Sequence, residues 1–489
     1  MFVVPASQHG QHGVHSPSKF VVDVWLVIMK YLSVLDIVRL GSTCQTLHEF
    51  ASLRHVWRDV LFQHRFLDQC YPHLRSCTAE DIRHQLKTAA RLDHLWTQSS
   101  IVPKRLYTFP LDFPGVFQGL KFLPGGTWLV LLFHCRNLNP SRHSNLCLVK
   151  PSTGAGFPAV STTFQSEMCW LPFLDQDGPY RSSRGDNLIL LRTKCNDGSN
   201  AFGIVHLNTK IPSITIPLIF RTNVFVRNYA ASGDYIVYGW ITADRRHFLR
   251  IMQLNDNYDG FRKDMTVEID CPKGHDGKLR IRYDLRLSGR VPCILLISTR
   301  LMAAYNIPSN VPNNVDANLP PLLTPFWQLR PAAVTFGRFV KLFHEGAIVS
   351  LYEGQIRFIR PHLDASEPNT YAIEKYNFDP PHPQNLQRPC LFSAQRIFWR
   401  SSLKNQKGTT SPWQMTIETS GVSENVHREG RVLIDLQETQ TSAPSASTRI
   451  VQDWDELSGR LCIRSIQSRF AQDPRCRKTT WRVTLVDFV

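Results

Sequence analysis

No Cys-x-x-Cys pair occurs among the 12 cysteines of this 489-residue chain. The spacing of a zinc ribbon, a zinc finger or a thioredoxin-type centre is therefore missing. The cysteines stand singly in apolar stretches such as Asn145-Leu146-Cys147-Leu148-Val149 and Leu461-Cys462-Ile463, where a thiol serves as a small hydrophobe. A concentrated Lys/Arg run is also missing; Lys is scarce beside Arg, and the arginines are scattered. The formal net charge of +16 is diffuse: residues 1–100 hold 10 Lys/Arg against 8 Asp/Glu, which leaves +14 for residues 101–489. Such a surplus suits acidic partners in general. A solvated basic surface explains it without nucleic acid, which is not an expected partner.

The chain has no Asn-x-Ser/Thr acceptor, and no basic stretch followed by an apolar core opens it. Its most apolar early segment, Phe20 to Leu32, is interrupted by Asp23 and Lys30 and falls short of the ~20 residues of a bilayer span. A reducing, cytoplasmic or nuclear setting without membrane contact is expected. Gly-x-Ser-x-Gly, P-loop and His-Glu-x-x-His motifs are absent, and no carboxylates are spaced as an acid–base pair. Gly154-Ala155-Gly156-Phe157-Pro158-Ala159 imitates a dinucleotide fingerprint, but Pro158 stands where a helix must begin, so it reads as a turn. The expectation is a chain that is not an enzyme and carries no metal and no cofactor.

What is present is an ordinary globular composition, 43% hydrophobic and 20% charged, in a chain long enough for several domains. Residues 1–18 are rich in His, Gln, Ser, Gly and Pro and read as disordered; His9, His12 and His15 have no folded frame in which to hold a metal. Val24, Ile28 and Leu32, with Trp25 and Met29 beside them, form a wide apolar stripe at helical period. Ser33-Val34-Leu35-Asp36 is a capping pattern that starts a second helix carrying Ile37, Leu40 and Cys44. Leu47 and Phe50, then Val56, Trp57, Val60 and Leu61, mark a third and a fourth. Short helices with short joints make a small bundle.

Phe20-Val21-Val22-Asp23-Val24, Ile28-Met29-Lys30-Tyr31-Leu32, Asp36-Ile37, Leu40, Thr43-Cys44, Leu47, Phe50 and Val56-Trp57-Arg58 together resemble the F-box. The family opens on Leu-Pro where this chain has Phe20-Val21, and carries Trp where it has Leu47. The resemblance covers residues 19–64. It implies docking on a Skp-family adaptor, and through it on a cullin, by Phe20, Val21, Val24, Ile28, Leu32, Leu35, Ile37, Leu40, Leu47 and Trp57. Residues 65–100 read as a helical connector with a cap at Thr78-Ala79-Glu80-Asp81. Cys70, His73 and Cys77 cluster there without a fourth ligand and read as packing.

From residue 101 to 489 the pattern changes to short β-rich runs between Gly, Asn, Asp and Pro clusters. Thr127–Phe133, Asn187–Leu191, Tyr235–Trp240, Cys293–Ile297 and Ala347–Leu351 are nearly continuous apolar runs, which suits strands buried on both faces. Leu120 to Leu129 resembles the strand–turn–strand opening of a WD40-type propeller blade, and Leu146 to Gly154 its terminal strand. The expected fold class is α+β multidomain: an N-terminal helical F-box bundle and connector, then a mainly-β domain, a WD40-like β-propeller of about seven blades. Arg105–Phe109 is expected to complete the blade that ends the chain, with a pair of β-sandwiches as the rival architecture. The Pro-rich stretch 308–331, with 361–390 and 437–448, reads as surface insertions.

These expectations describe the substrate-recognition subunit of a Skp–cullin–F-box ubiquitin ligase. The propeller would bind a protein substrate with acidic or phosphorylated segments. The alternative is a non-catalytic propeller scaffold whose degenerate F-box binds no adaptor. A third class, a propeller enzyme or nucleic-acid binder, would need a bound metal or a steep salt dependence.

Overall fold

A computed structural model describes residues 22–63, 74, 77–96, 103–111, 116–135, 143–151, 158–166, 170, 178–195, 197, 199–226, 228–270, 282–286, 293–297, 302–308 and 320–325, and the strands given below between Trp327 and Asp487 with 457–459 and 488. The chain divides into two compact units, Met1–Ala90 and Arg91–Val489.

Helices α1 (Val22–Lys30), α2 (Val34–Gly41), α3 (Gln45–Ser52) and α4 (Arg54–Gln63) follow one another in the first unit, and α5 (Ala79–Trp96) begins there and runs across the boundary. The start of α2 is fixed as its sequence requires. Ser33 Oγ accepts the Asp36 N–H at 3.2 Å and donates to the Asp36 carboxylate at 2.6 Å. Thr78 and Asp81 repeat the device at α5, with the Asp81 N–H donating to Thr78 Oγ1 at 3.2 Å. Gly41 is where α2 and α3 meet closely: a Cβ there would lie 2.8 Å from the Ala51 Cβ. Met29, Val34, Ile37, Leu47, Ala51, Val56, Trp57, Val60 and Leu61 are buried. The Trp57 indole N–H donates to the Ala51 carbonyl at 2.6 Å, which ties α4 to the last turn of α3.

The second unit is a succession of small sheets, antiparallel but for one short strand. The first is Val116–Phe122, Leu129–Cys135, His143–Pro151 and Pro158–Ser166. The second is Tyr180–Arg181, Asn187–Lys194, Asn200–Asn208 and Ser213–Thr222. The third is Asn228–Ser232, Tyr235–Ile241, His247–Leu254 and Phe261–Ile269. The fourth is Arg282–Arg286, Cys293–Ile297, Met302–Asn306 and Trp327–Leu329, and the fifth Phe339–Leu342, Ile348–Tyr352, Gln355–Pro361 and Tyr371–Asn377. A pair, Leu391–Phe392 with Ile397–Phe398, precedes a triplet of Ser401–Ser402, Gln414–Ser423 and Val426–Asp435. The C-terminal sheet holds Ser447–Asp455, Arg460–Phe470 and Arg477–Asp487, and its fourth strand is Arg105–Leu111 from the other end of the unit. Arg105 pairs with Asp487 and Leu111 with Trp481, so the expected joining of the two ends is present.

The apolar runs find their reason in how the sheets stack. Leu129, Leu131 and Phe133 face the C-terminal sheet, packing with Phe109, Leu111, Cys462, Val483 and Leu485. The alternate residues Val130 and Leu132 face the second sheet, meeting Ile189, Leu191 and Val205. Leu188, Leu190, Phe202 and Ile204 turn to the third sheet, and Val237, Leu249 and Ile251 of that sheet meet Ile294 and Leu296 of the fourth. The central strands thus bury both of their faces and lose alternation of polarity, whereas the outer strand Phe261–Ile269 keeps it.

Three expectations need correction. The stretch 361–390 is not all insertion, because it holds the strand Tyr371–Asn377, paired along Gln355–Pro361. Leu146 to Gly154 does not close the first sheet: His143–Pro151 is its third strand, and Pro158–Ser166 follows as the fourth. The Pro-rich stretch 308–331 is not loop throughout. Leu322–Leu323 lies parallel to Glu268–Ile269, with the Glu268 N–H donating to the Pro321 carbonyl and the Asp270 N–H to the Leu323 carbonyl, both at 2.9 Å. Proline is tolerated there because the strand lies on a sheet edge. His9, His12, His15, Cys70, His73 and the turn at 154–157 lie outside the described residues.

Candidate functional site

Helix α1 is apolar on almost every side, and its two sides do different things. Met29 points into the bundle and is 1% exposed. Val24, Val27, Ile28 and Tyr31, spaced i, i+3, i+4 and i+7, stay open, with Val27 52% and Tyr31 86% exposed. Val24, Val27 and Ile28 have the spacing at which one helix presents a continuous face to a partner, and Tyr31 extends it from the turn that ends the helix. Val22, Leu53 and Phe62 are exposed as well.

The ten residues expected to meet an adaptor separate accordingly. Val24 and Ile28 are exposed; Leu32, Leu35 and Leu40 are partly buried; Phe20 and Val21 lie outside the described residues. Ile37 and Trp57 are wholly buried and Leu47 is 5% exposed, so these three hold the bundle together and present no surface. Val27 and Tyr31 were missed as surface candidates. Their signal was the i+3 and i+7 spacing from Val24, hidden in a helix without a polar side.

In the mainly-β unit, polar side chains link neighbouring sheets along the turns between first and second strands. Asp453 of the C-terminal sheet accepts the Phe122 N–H at 2.7 Å and pairs with Lys121 Nζ at 3.1 Å. Asp455 accepts the Gly125 N–H at 3.1 Å and the Ser458 N–H at 2.8 Å. Arg460 donates to the Gly126 carbonyl at 2.7 Å and to Asp487 at 3.0 Å. Further along, Arg181 donates to the Pro124 carbonyl at 3.3 Å, and Ser183 holds Asp234. The Tyr258 hydroxyl lies between Ser182 at 2.8 Å and Asp186 at 2.7 Å. Burial pushes the Tyr258 phenol up to about 12, so it remains a neutral donor. Burial, helped by the charge of Asp453, pushes the Asp455 carboxyl up to about 6 against the hydrogen bonds from Ser458 and Gly125.

None of these groups forms a nucleophile–base–orienter chain. Among the described residues no cluster of three or more His, Cys, Asp or Glu side chains could hold a metal ion, and no helix is long and apolar enough to cross a membrane.

No protein-family model and no curated protein matches the chain. Several solved structures bear a slight likeness. A candidate 6-phosphogluconolactonase from Bacteroides uniformis is 11% identical, with 68% of this chain and 85% of that chain covered and a TM-score of 0.34. The acylaminoacyl peptidase of Pyrococcus horikoshii is 8% identical, covering 76% of this chain and 51% of that one at a TM-score of 0.34. A chain of the Chaetomium thermophilum Polycomb Repressive Complex 2 is 14% identical, with 57% and 58% covered and a TM-score of 0.32. At these scores they assign neither a fold nor an activity.

Proposed function

We propose that this chain is the substrate-recruiting subunit of a Skp–cullin–F-box type ubiquitin ligase, with the helical unit as adaptor dock and the β unit as substrate binder. The observation that carries the reading is the row Val24, Val27, Ile28 and Tyr31, left open on a bundle whose core is already filled by Met29, Ile37, Leu47 and Trp57. An apolar helix face of that kind gains free energy by burial, at about 25 cal/mol per Å² of apolar surface. It coincides with the stretch whose residue spacing resembles the F-box.

For the β unit the proposed architecture is a seven-bladed propeller. Support comes from the repetition of four-stranded meanders, from side chains buried on both faces of successive sheets, and from the sharing of one sheet by Arg105–Leu111 and the C-terminal strands. The pair at 391–398 and the triplet at 401–435 together stand for one blade. The work of such a chain is positional: holding a substrate beside a ubiquitin-charged enzyme raises its effective concentration without any covalent step by this chain. A propeller scaffold without adaptor is the rival.

The test is capture of a purified Skp-family adaptor by the full chain and by a Val27→Asp, Tyr31→Asp variant. Both substituted residues are exposed, so the variant keeps its fold. Binding by the native chain and loss in the variant is the expected result. Absence of binding by the native chain would overturn the ligase reading in favour of the scaffold.

A further inference from the structure

The Pro-rich stretch 308–331 places a strap on the third sheet. The chain leaves the fourth sheet after Met302–Asn306 and returns to it as Trp327–Leu329, and in between Leu322–Leu323 lies along the outer edge of Phe261–Ile269. The strap is a parallel strand of two residues, a short form of the weaker kind of pairing. The Glu268 N–H donates to the Pro321 carbonyl and the Asp270 N–H to the Leu323 carbonyl, both at 2.9 Å. Leu323, partly buried, packs on the core between the third and fourth sheets that also holds Ile269, Val267 and Ile307.

Alternation fixes where the neighbouring side chains stand. Leu323 faces the fourth sheet together with Ile269, so Leu322 and Thr324 stand on the opposite face with Glu268 and Asp270. Leu322 is 58% exposed, and Thr324 and Asp270 are exposed as well. Carried one residue beyond Ile269 and Leu323, the register sets Thr324 beside Asp270, ~4.8 Å apart at Cα. Pro325 comes next, and a residue before proline is held in extended backbone. An exposed threonine hydroxyl on extended backbone with proline following is what a proline-directed protein kinase accepts. Ser16-Pro17 and Ser411-Pro412 carry the same kind of dipeptide and lie outside the described residues.

We propose that Thr324 is a phosphorylation site and that its phosphate releases the strap from the third sheet. Thr324 Oγ1 attacks the γ-phosphorus of ATP held by the kinase. The new O–P bond replaces the bond to the β,γ-bridging oxygen, ADP leaves, and the hydroxyl proton passes to the base of the kinase. The product adds about −1.5 to −2 charges beside the Asp270 carboxylate, one residue past the carbonyl that the Asp270 N–H holds. Like charges in register across paired strands destabilise the pairing. Of the cations near this end of the sheet, Arg246 is engaged by Glu268, with Nε at 2.8 Å and a second bond from its other nitrogen. Asp244, Glu268 and Asp270 outnumber Arg245 and Arg246 there, so the added phosphate meets repulsion. Release leaves the Glu268 and Asp270 N–H groups open on a sheet edge.

The experiment treats the full chain with a proline-directed kinase and ATP, beside a synthetic peptide of residues 318–328 that reports the activity of the kinase, and maps the phosphate by mass spectrometry. Phosphate on Thr324 is the expected result, with a Thr324→Val chain as the blank. Amide hydrogen exchange of the segment holding Glu268 and Asp270 is then compared before and after modification. It should quicken by roughly tenfold or more, while the inner strand His247–Leu254 keeps its protection. The effect should shrink in about 0.5 M salt and in an Asp270→Asn chain, because both weaken the repulsion. Asp270 is exposed and its carbonyl still accepts the Tyr305 hydroxyl, so that variant keeps its fold. A chain left unmodified at Thr324 while the peptide is fully phosphorylated would overturn the site. Exchange that is unchanged or slowed by the phosphate would overturn the release, slowing being the sign that Arg245 or Arg246 has captured it. A release undiminished in Asp270→Asn would equally overturn its electrostatic cause. No readout involves an adaptor or a substrate, so the outcome stands apart from the ligase reading.

Discussion

Acidification should strengthen, not weaken, the seam at which the two ends of the β unit are joined. Asp455 is wholly enclosed there, between the Gly125 and Ser458 N–H groups and beside Asp453. Its carboxyl is pushed up from 3.8 to about 6, chiefly by burial. The native state therefore binds its proton more tightly than the unfolded chain does. Stability from this group is fully present below the unfolded value and is lost as the pH rises through the folded one. With 1.36 kcal/mol per pKa unit, the gain relative to pH 7.5 is about 1.4 kcal/mol at pH 5 and about 3 kcal/mol once both states are protonated. The measurement is denaturant unfolding of the native chain and of Asp455→Asn across pH 7.5 to 4.5, followed by tryptophan fluorescence. Taking the difference between the two proteins cancels the other titrating groups. The native chain should gain on the variant as the pH falls. A flat difference, or one that shrinks on acidification, would refute the claim that a buried carboxylate is held short of compensation at this seam.

Two further substitutions probe the local packing. Gly126 has φ +63°, and a Cβ there would run into the Ser458 side chain and lie 2.9 Å from Asp455 Oδ2, so Gly126→Ala should cost about 2 kcal/mol in the same unfolding assay. Trp57 is wholly buried and satisfies the Ala51 carbonyl; Trp57→Ala should cost about 3–5 kcal/mol, read as loss of the helical signal of the first unit in circular dichroism.

The helices were legible because their ends are local. Ser33 with Asp36 and Thr78 with Asp81 carry their own caps, and no distant residue is needed to close them. Which side of α1 faces inward was not legible, because Val24, Val27 and Ile28 are as apolar as Met29 and a stripe without a polar side has no direction. Strands were legible for the opposite reason. Leu129 to Phe133 are all apolar because each residue lies against one of two neighbouring sheets, yet that same uniformity hides how the runs are grouped. The fourth strand of the first sheet, Pro158–Ser166, was missed because its run of Ser, Thr and Gln lacks the apolar signal of a buried strand. Leu322–Leu323 is two residues between prolines, and two residues have no period.

Contacts between sheets were out of reach of the sequence for a further reason. Arg192 and Arg464 look like any scattered arginine until the fold is known, since the rings beneath them come from Tyr229 and Phe117 of the sheets that follow and, for Arg464, also from Trp481 of its own sheet. The seam shows the same dependence at its extreme. Thr108 and Thr484 share a hydrogen bond across 376 positions, and Asp453 holds Lys121 across 332. Contacts of that separation form late and at high loop-closure cost. Local sequence can therefore specify each meander, while the order in which meanders stack, and the sites formed between them, is decided only when both ends of the unit meet in one sheet.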